Sequence, residues 1–122
     1  MERIEFELNG HTITFDCDAR DTRNGFAHDA RFCIDYRFWW SSTANYLNRT
    51  WEHWRFQSVC LSCVSHEIES RIELLKLQYK IDHSISRLSG KAHKEAFQKI
   101  VDSDKWVVLL RDIKKVLIDR CF

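Results

Sequence analysis

The chain contains no proline, a single methionine and only three glycines among its 122 residues. Proline is the residue that most reliably interrupts a helix, so its absence permits long helices almost everywhere. So few glycines exclude a phosphate-cradling loop, because the one candidate, Arg23-Asn24-Gly25, lacks the repeated glycines such a loop needs. Neither sign of charge dominates, with 19 Lys/Arg against 18 Asp/Glu and a formal net charge of +1. That balance excludes a global field steering the whole molecule to DNA or to an anionic membrane. No apolar run approaches the roughly 20 residues of a membrane-spanning helix, and Met1-Glu2-Arg3-Ile4-Glu5 does not open a signal peptide. A cytoplasmic protein with no membrane partner is expected. The five cysteines are an odd number without a secretory context, which fits free thiols in a reducing compartment.

What is present supports a folded core. Apolar residues make up 44% and aromatics 13%, too many for a disordered chain. A single domain over 1–122 is expected, able to bury about two-thirds of its unfolded surface. Its clearest local signal is Arg3-Ile4-Glu5-Phe6-Glu7-Leu8-Asn9-Gly10-His11-Thr12-Ile13-Thr14-Phe15-Asp16. Asn-Gly favours a two-residue turn with positive φ at both positions. Counting outwards pairs Leu8 with His11, Phe6 with Ile13, Ile4 with Phe15 and Arg3 with Asp16. Ile4, Phe6, Leu8, Ile13 and Phe15 then share one face, while Glu5, Glu7, Thr12 and Thr14 share the other. A polar loop over 18–28 is expected next, then a third strand with Asp35-Tyr36 near a turn, then a fourth, returning strand. Phe38, Trp39 and Trp40 are consecutive and spoil its alternation, so one of the three must leave the inner face.

From Thr50 the period becomes helical. Thr50 is placed to cap a helix, with Glu52 in its first turn. Trp54, Leu61, Val64, Ile68, Ile72, Leu75 and Tyr79 form one stripe; Leu74, Leu77, Ile81, Ile85 and Leu88 form a second beside it. A helix over 50–89 is expected, either running from 51 to about 82 or continuing past a break near Asp82-His83-Ser84, with Ser89-Gly90 as the later stop. The part over 90–122 adds a short helix through Phe97, Ile100 and Val101. Ser103 is expected to cap a last helix with Trp106, Leu109, Leu110, Ile113, Val116 and Leu117 on its apolar face. The predicted fold is therefore α+β: a four-stranded antiparallel meander over 1–49, packed on one long helix, followed by two shorter C-terminal helices. The second apolar stripe predicts a homodimer through helical contacts.

Chemistry-bearing residues are sparse. Cys60, Cys63 and His66 recur at intervals of three, a short spacing of soft ligands that invites a zinc reading. On a helix they fan across about 120°, without a fourth ligand, and buried cysteines more often act as small apolar groups. Cys17, Cys33 and Cys121 lack a neighbouring base or an oxyanion loop. Asp16, Asp18, Asp21, His28 and Asp29 could form a metal site for a small hydrolase or nuclease, but aspartates also stabilise turns. No cofactor and no catalytic residue is assigned. Residues 1–50 hold six Lys/Arg against eight Asp/Glu, and 90–122 hold eight against five. The basic C-terminal helices thus offer a nucleic-acid-binding alternative. The stronger candidate is a binding surface made by the 19–28 loop and the start of the long helix. Arginine forks and aromatic faces suit anionic planar ligands or an acidic protein partner. Arg23, His28, Arg49, Trp51 and Arg55 are its candidate residues.

The pair Thr22-Arg23-Asn24-Gly25-Phe26-Ala27-His28 and Asn48-Arg49-Thr50-Trp51-Glu52, with Phe56, resembles a motif pair in small phage, plasmid and prophage proteins of Gram-positive bacteria. The resemblance spans residues 1–65. It implies a mobile-element protein without catalysis that inhibits a bacterial host immune component, in the manner of an anti-CRISPR protein or by sequestering an immune nucleotide signal. The implied partner is a host defence protein or its nucleotide ligand.

Overall fold

The computed structural model describes residues 2–22, 25–46 and 56–120, with side chains described at 3–16, 31–37 and 60–120. Four strands, β1 (Glu2–Leu8), β2 (His11–Thr22), β3 (Gly25–Ile34) and β4 (Arg37–Tyr46), precede α1 (Phe56–Asp82), α2 (Lys91–Ser103) and α3 (Lys105–Asp119). The strands form one antiparallel sheet in the order β1-β2-β3-β4.

The first hairpin has the register its sequence predicts, with Leu8 opposite His11, Phe6 opposite Ile13 and Ile4 opposite Phe15. Asn9 at φ 51 and Gly10 at φ 81 supply the two positive torsions of its turn. On one face Phe6, Ile13, Phe15, Phe32 and Ile34 are buried, with Ile4 and Leu8 packed at the margin. Phe15 and Phe32 stack face to face, their centroids 4.7 Å apart.

The polar loop expected over 18–28 is strand at 18–22 and 25–28, with 23 and 24 outside the described residues. β2 runs on to Thr22 and β3 begins at Gly25, so this segment is the far half of a long hairpin. Its polar composition hides the strand, and β3 is paired on both sides, with β2 and with β4. The aromatic run resolves through a slip in register. Phe32 pairs with Trp40 but Cys33 pairs with Phe38, so the ladder steps over Trp39. Such a bulge lets one strand hold an extra residue without inverting its pattern.

The expected meander on one long helix is corrected by the core. The main cluster takes Cys60, Cys63 and Val64 from α1, but also Leu109, Leu110, Ile113 and Leu117 from α3. The sheet is thus covered by two helices. Its described core side chains come from three antiparallel strands, β1 to β3; of β4 only Arg37 has a described side chain, and that is exposed. Among the described side chains, a face of three antiparallel strands meets the helices, and α2 builds a second cluster from Phe97 and Val101 against Tyr79 and Val107. α1 is about 40 Å long, longer than one small sheet can cover, and α2 and α3 take over its distal half.

The long helix ends at Asp82, the earlier of the two expected ends, and does not run on to residue 89. Ser84 adopts φ 53, its N–H bonds to Ile81 O at 3.2 Å, and Ile85 N–H reaches back to Lys80 O at 3.0 Å. These two bonds are a Schellman stop with serine where glycine is usual. His83 Nδ1 adds a bond to Tyr79 O at 3.0 Å. Ile85 and Leu88, expected on the second helical stripe, lie past this stop and pack into the second cluster. Gly90 is then the N-cap of α2, not the end of α1. The predicted cap of the last helix shifts by one. Asp104 accepts from Val107 N–H at 3.0 Å, while Ser103 ends α2 with its hydroxyl on Lys99 O at 2.8 Å. Thr50 and Glu52 lie outside the described residues.

Among the described residues no helix is long and apolar enough to cross a membrane.

Candidate functional site

Of the five residues the sequence nominates, Arg23, Arg49, Trp51 and Arg55 lie outside the described residues. His28 has its backbone described in β3, opposite Ala19 of β2 and Ala44 of β4. At that end of the sheet Thr22 pairs with Gly25 and Phe26 with Tyr46.

The side chains of Asp18, Asp21, His28 and Asp29 lie outside the described residues, and Cys60, Cys63 and His66 separate into core and surface. Cys60 and Cys63 are 2% and 1% exposed and fill the main core, whereas His66 lies on the exposed side of α1. Asp16 sits 3.5 Å from Arg3 across the first hairpin. Among the described residues no group of three or more His, Cys, Asp or Glu side chains is placed to hold a metal ion. Cys33, Cys60 and Cys63 are free thiols. The basic C-terminal helices carry their own acids: Arg111 bonds Asp102 at 2.9 Å, and Lys91 lies 3.8 Å from Glu95. The Arg111 guanidinium and the Gln98 amide together hold the Asp102 carboxyl below its usual range.

The opposite end of the sheet carries an arrangement the sequence did not nominate. There the β1–β2 and β3–β4 turns meet. Asp35 N–H donates to Thr12 O at 2.8 Å, and Thr12 N–H donates to Asp35 Oδ1 at 2.9 Å. His11 Nδ1 donates to Asp35 Oδ2 at 2.7 Å. The His11 bond, then the Thr12 N–H, keep the Asp35 carboxyl below its usual range, with Arg37 adding to the effect. The first turn is tied down to α3 as well, by Asn9 Nδ2 on Asp112 Oδ2 at 2.9 Å. The Trp106 ring lies 6.3 Å from His11, and Lys105 Nζ sits 5.1 Å over that indole.

This clamp fixes the second turn in a costly geometry. Asp35 has φ 54 and Tyr36 has φ 63. Aspartate tolerates left-handed torsions, but a bulky aromatic there is strained by roughly 1–2 kcal/mol. Tyr36 nevertheless leaves 70% of its surface to solvent, so burial does not offset the strain. Strain of this kind points to function more often than to packing. Tyr36→Gly should therefore stabilise the fold by about 1 kcal/mol, seen as a higher urea midpoint with unchanged slope. An unchanged or lower midpoint would mean the ring supports the hairpin.

The sequence marks a turn near Asp35-Tyr36, but no residue in it shows that Tyr36 occupies a position suited to glycine. The nearest signal is the missing glycine itself: a two-residue hairpin turn without one.

No protein-family profile, no curated protein and no solved structure matches the chain.

Proposed function

We propose that the chain is a non-enzymatic binding protein of a phage or mobile element, acting in the cytoplasm of the bacterial host to inhibit a component of its immunity. The mobile-element setting comes from the motif resemblance over residues 1–65. The binding reading is carried by one observation: Tyr36 is held exposed at φ 63 on a turn clamped by His11, Thr12 and Asp35. Tyrosine is among the side chains that most often dominate a protein interface, because it offers large amphipathic area with few torsions to freeze. Arg37 beside it is exposed and supplies a fork for carboxylates. Small nucleotides are usually held in concave pockets, whereas Tyr36 and Arg37 stand exposed at a turn. A host defence protein with a recess and an acidic rim is therefore the favoured partner over its nucleotide signal.

The test uses stability and function in opposite directions. Phage plaques are counted on an immune host expressing the wild-type chain, Tyr36→Gly or Arg37→Glu. The wild type should restore plaques. Tyr36→Gly should lose restoration, in line with a loss of about 2 kcal/mol or roughly 30-fold in affinity, although its fold is the more stable. Equal restoration by Tyr36→Gly and the wild type would rule out the tip as the binding element. No restoration by the wild type, across hosts with different immune systems, would count against the inhibitory role.

A further inference from the structure

We infer that α1 pairs with α1 of a second copy of the chain, antiparallel, through Leu74, Leu77 and Ile81. This goes beyond the proposed function and rests on a different part of the molecule.

The three residues are 56%, 54% and 62% exposed, far more than ordinary for large aliphatic side chains on a helix. They are not scattered. At 3.6 residues per turn Cys63, Ser70, Leu74, Leu77 and Ile81 fall within about 60° of one another, spaced by seven, four, three and four. At Cys63 this face is 1% exposed and belongs to the core beneath the sheet. This face of α1 is core at Cys63, polar at His66, Glu67 and Ser70, and from Leu74 to Ile81 an apolar ridge that belongs to neither described cluster. α2 and α3 do not reach it. They pack on the side of α1 carrying Ile68, Ile72, Leu75 and Tyr79, which is turned by about 160°.

The flanking charges choose the occupant. Along one flank, Arg71 donates to both oxygens of Asp104 at 3.0 and 2.8 Å, and Gln78 donates to Asp82 at 2.8 Å, so that flank is satisfied within the chain. Along the other flank stand Glu73 and Lys80, opposite in sign and one heptad apart. In an antiparallel pair, Leu74 of each copy lies across from Leu77 of the other, and Ser70 across from Ile81. Glu73 of each copy then meets Lys80 of the other, twice by symmetry. A parallel pair would set Glu73 against Gln78 and Lys80 against Ile85, with no charge match. The ridge is thus self-complementary in one direction only. Three aliphatic residues per copy make a small interface, so the dimer is concentration-dependent.

Sedimentation equilibrium over about 1–300 µM tests this, with the melting midpoint of each variant as a folding control. The wild type is expected to pass from monomer to dimer. Leu77→Glu should be monomeric throughout with an unchanged midpoint, since the residue is exposed. Glu73→Lys alone and Lys80→Glu alone should each weaken association about tenfold or more by setting like charges together at two places. The double swap Glu73→Lys/Lys80→Glu should recover association to within about threefold of the wild type. A wild type that stays monomeric, a dimer that survives Leu77→Glu, or a double swap no better than the single changes would each overturn the antiparallel pairing. Tyr36→Gly should dimerise like the wild type, which keeps this result separate from that of the plaque assay.

Discussion

Replacing Phe15 by alanine is expected to lower the unfolding free energy by about 3–5 kcal/mol, a fall in melting midpoint of roughly 10–20 °C for a domain of this size. Phe15 is 1% exposed and its stacking partner Phe32 is completely buried. Their rings lie nearly parallel, 6° apart in plane, at the centre of the sheet face that meets α1 and α3. Removing one ring forfeits its apolar burial and leaves a cavity walled by two helices and a sheet, which cannot all close in. Against a total stability of roughly 6–18 kcal/mol, scaled from chain length, the loss takes a large share of the whole. Phe15→Leu keeps most of the volume and should lose much less. A double-mutant cycle with Phe32 should give a coupling of about 0.5–1.5 kcal/mol from the ring pair itself. Urea unfolding checks all three; a loss below about 1 kcal/mol for Phe15→Ala would place Phe15 outside the core.

The second large effect belongs to Asp104. This one side chain does two things at the α2–α3 corner. It caps α3 through Val107 N–H, and it receives the paired bonds of the Arg71 guanidinium, locking α1 to that corner. The carboxylate is 12% exposed and the arginine 29%, so the pair is sheltered though not sealed. Asp104→Asn keeps a capping oxygen but removes the charge, and should lose about 2 kcal/mol at neutral pH, less than for a fully buried pair. Asp104→Ala removes the cap too and should lose about 1 kcal/mol more.

The charge also sets a pH dependence. The Arg71 bonds, and then the Val107 N–H, hold the Asp104 carboxyl below its usual range, outweighing the opposing effect of burial. A carboxyl with a folded pKa below the unfolded value of about 3.9 binds fewer protons in the native state. Its stabilisation is therefore full above that unfolded value and is lost as pH falls through the lower folded one. The wild-type advantage over Asp104→Asn should be constant from pH 7 to about pH 5 and then shrink steadily below pH 4. Urea midpoints of the two proteins at pH 7 and pH 3 measure it; a gap that persists undiminished at pH 3 would mean the charge contributes nothing.

The legible parts of the fold were those with short-range causes. Asn9-Gly10 and the alternation on either side fixed a hairpin down to its register, because a two-residue turn leaves no freedom to slip. Phe97 and Val101, and Leu109, Leu110, Ile113 and Leu117, lay on inward faces because helical spacing demands it. Val64 and Tyr79 likewise stood on the buried side of the long helix. The candidate binding residues had no such support. Arginines and tryptophans near a loop carry chemistry but no geometry, and four of the five fall outside the described residues. Tyr36 carries no signal in the sequence for the reverse reason: its side chain is ordinary, and only its torsion is not.

By itself, then, the sequence determined the first hairpin, the sidedness of the helices and the cysteines' role as small apolar core residues at 60 and 63. These follow from intervals of a few residues, over which backbone geometry is stiff. Tertiary structure decided that α3 joins α1 beneath the sheet, that polar residues 18–22 are strand, and that β4 takes a bulge at Trp39. Each of these choices depends on a surface supplied from far along the chain, and no local spacing records which surface that will be.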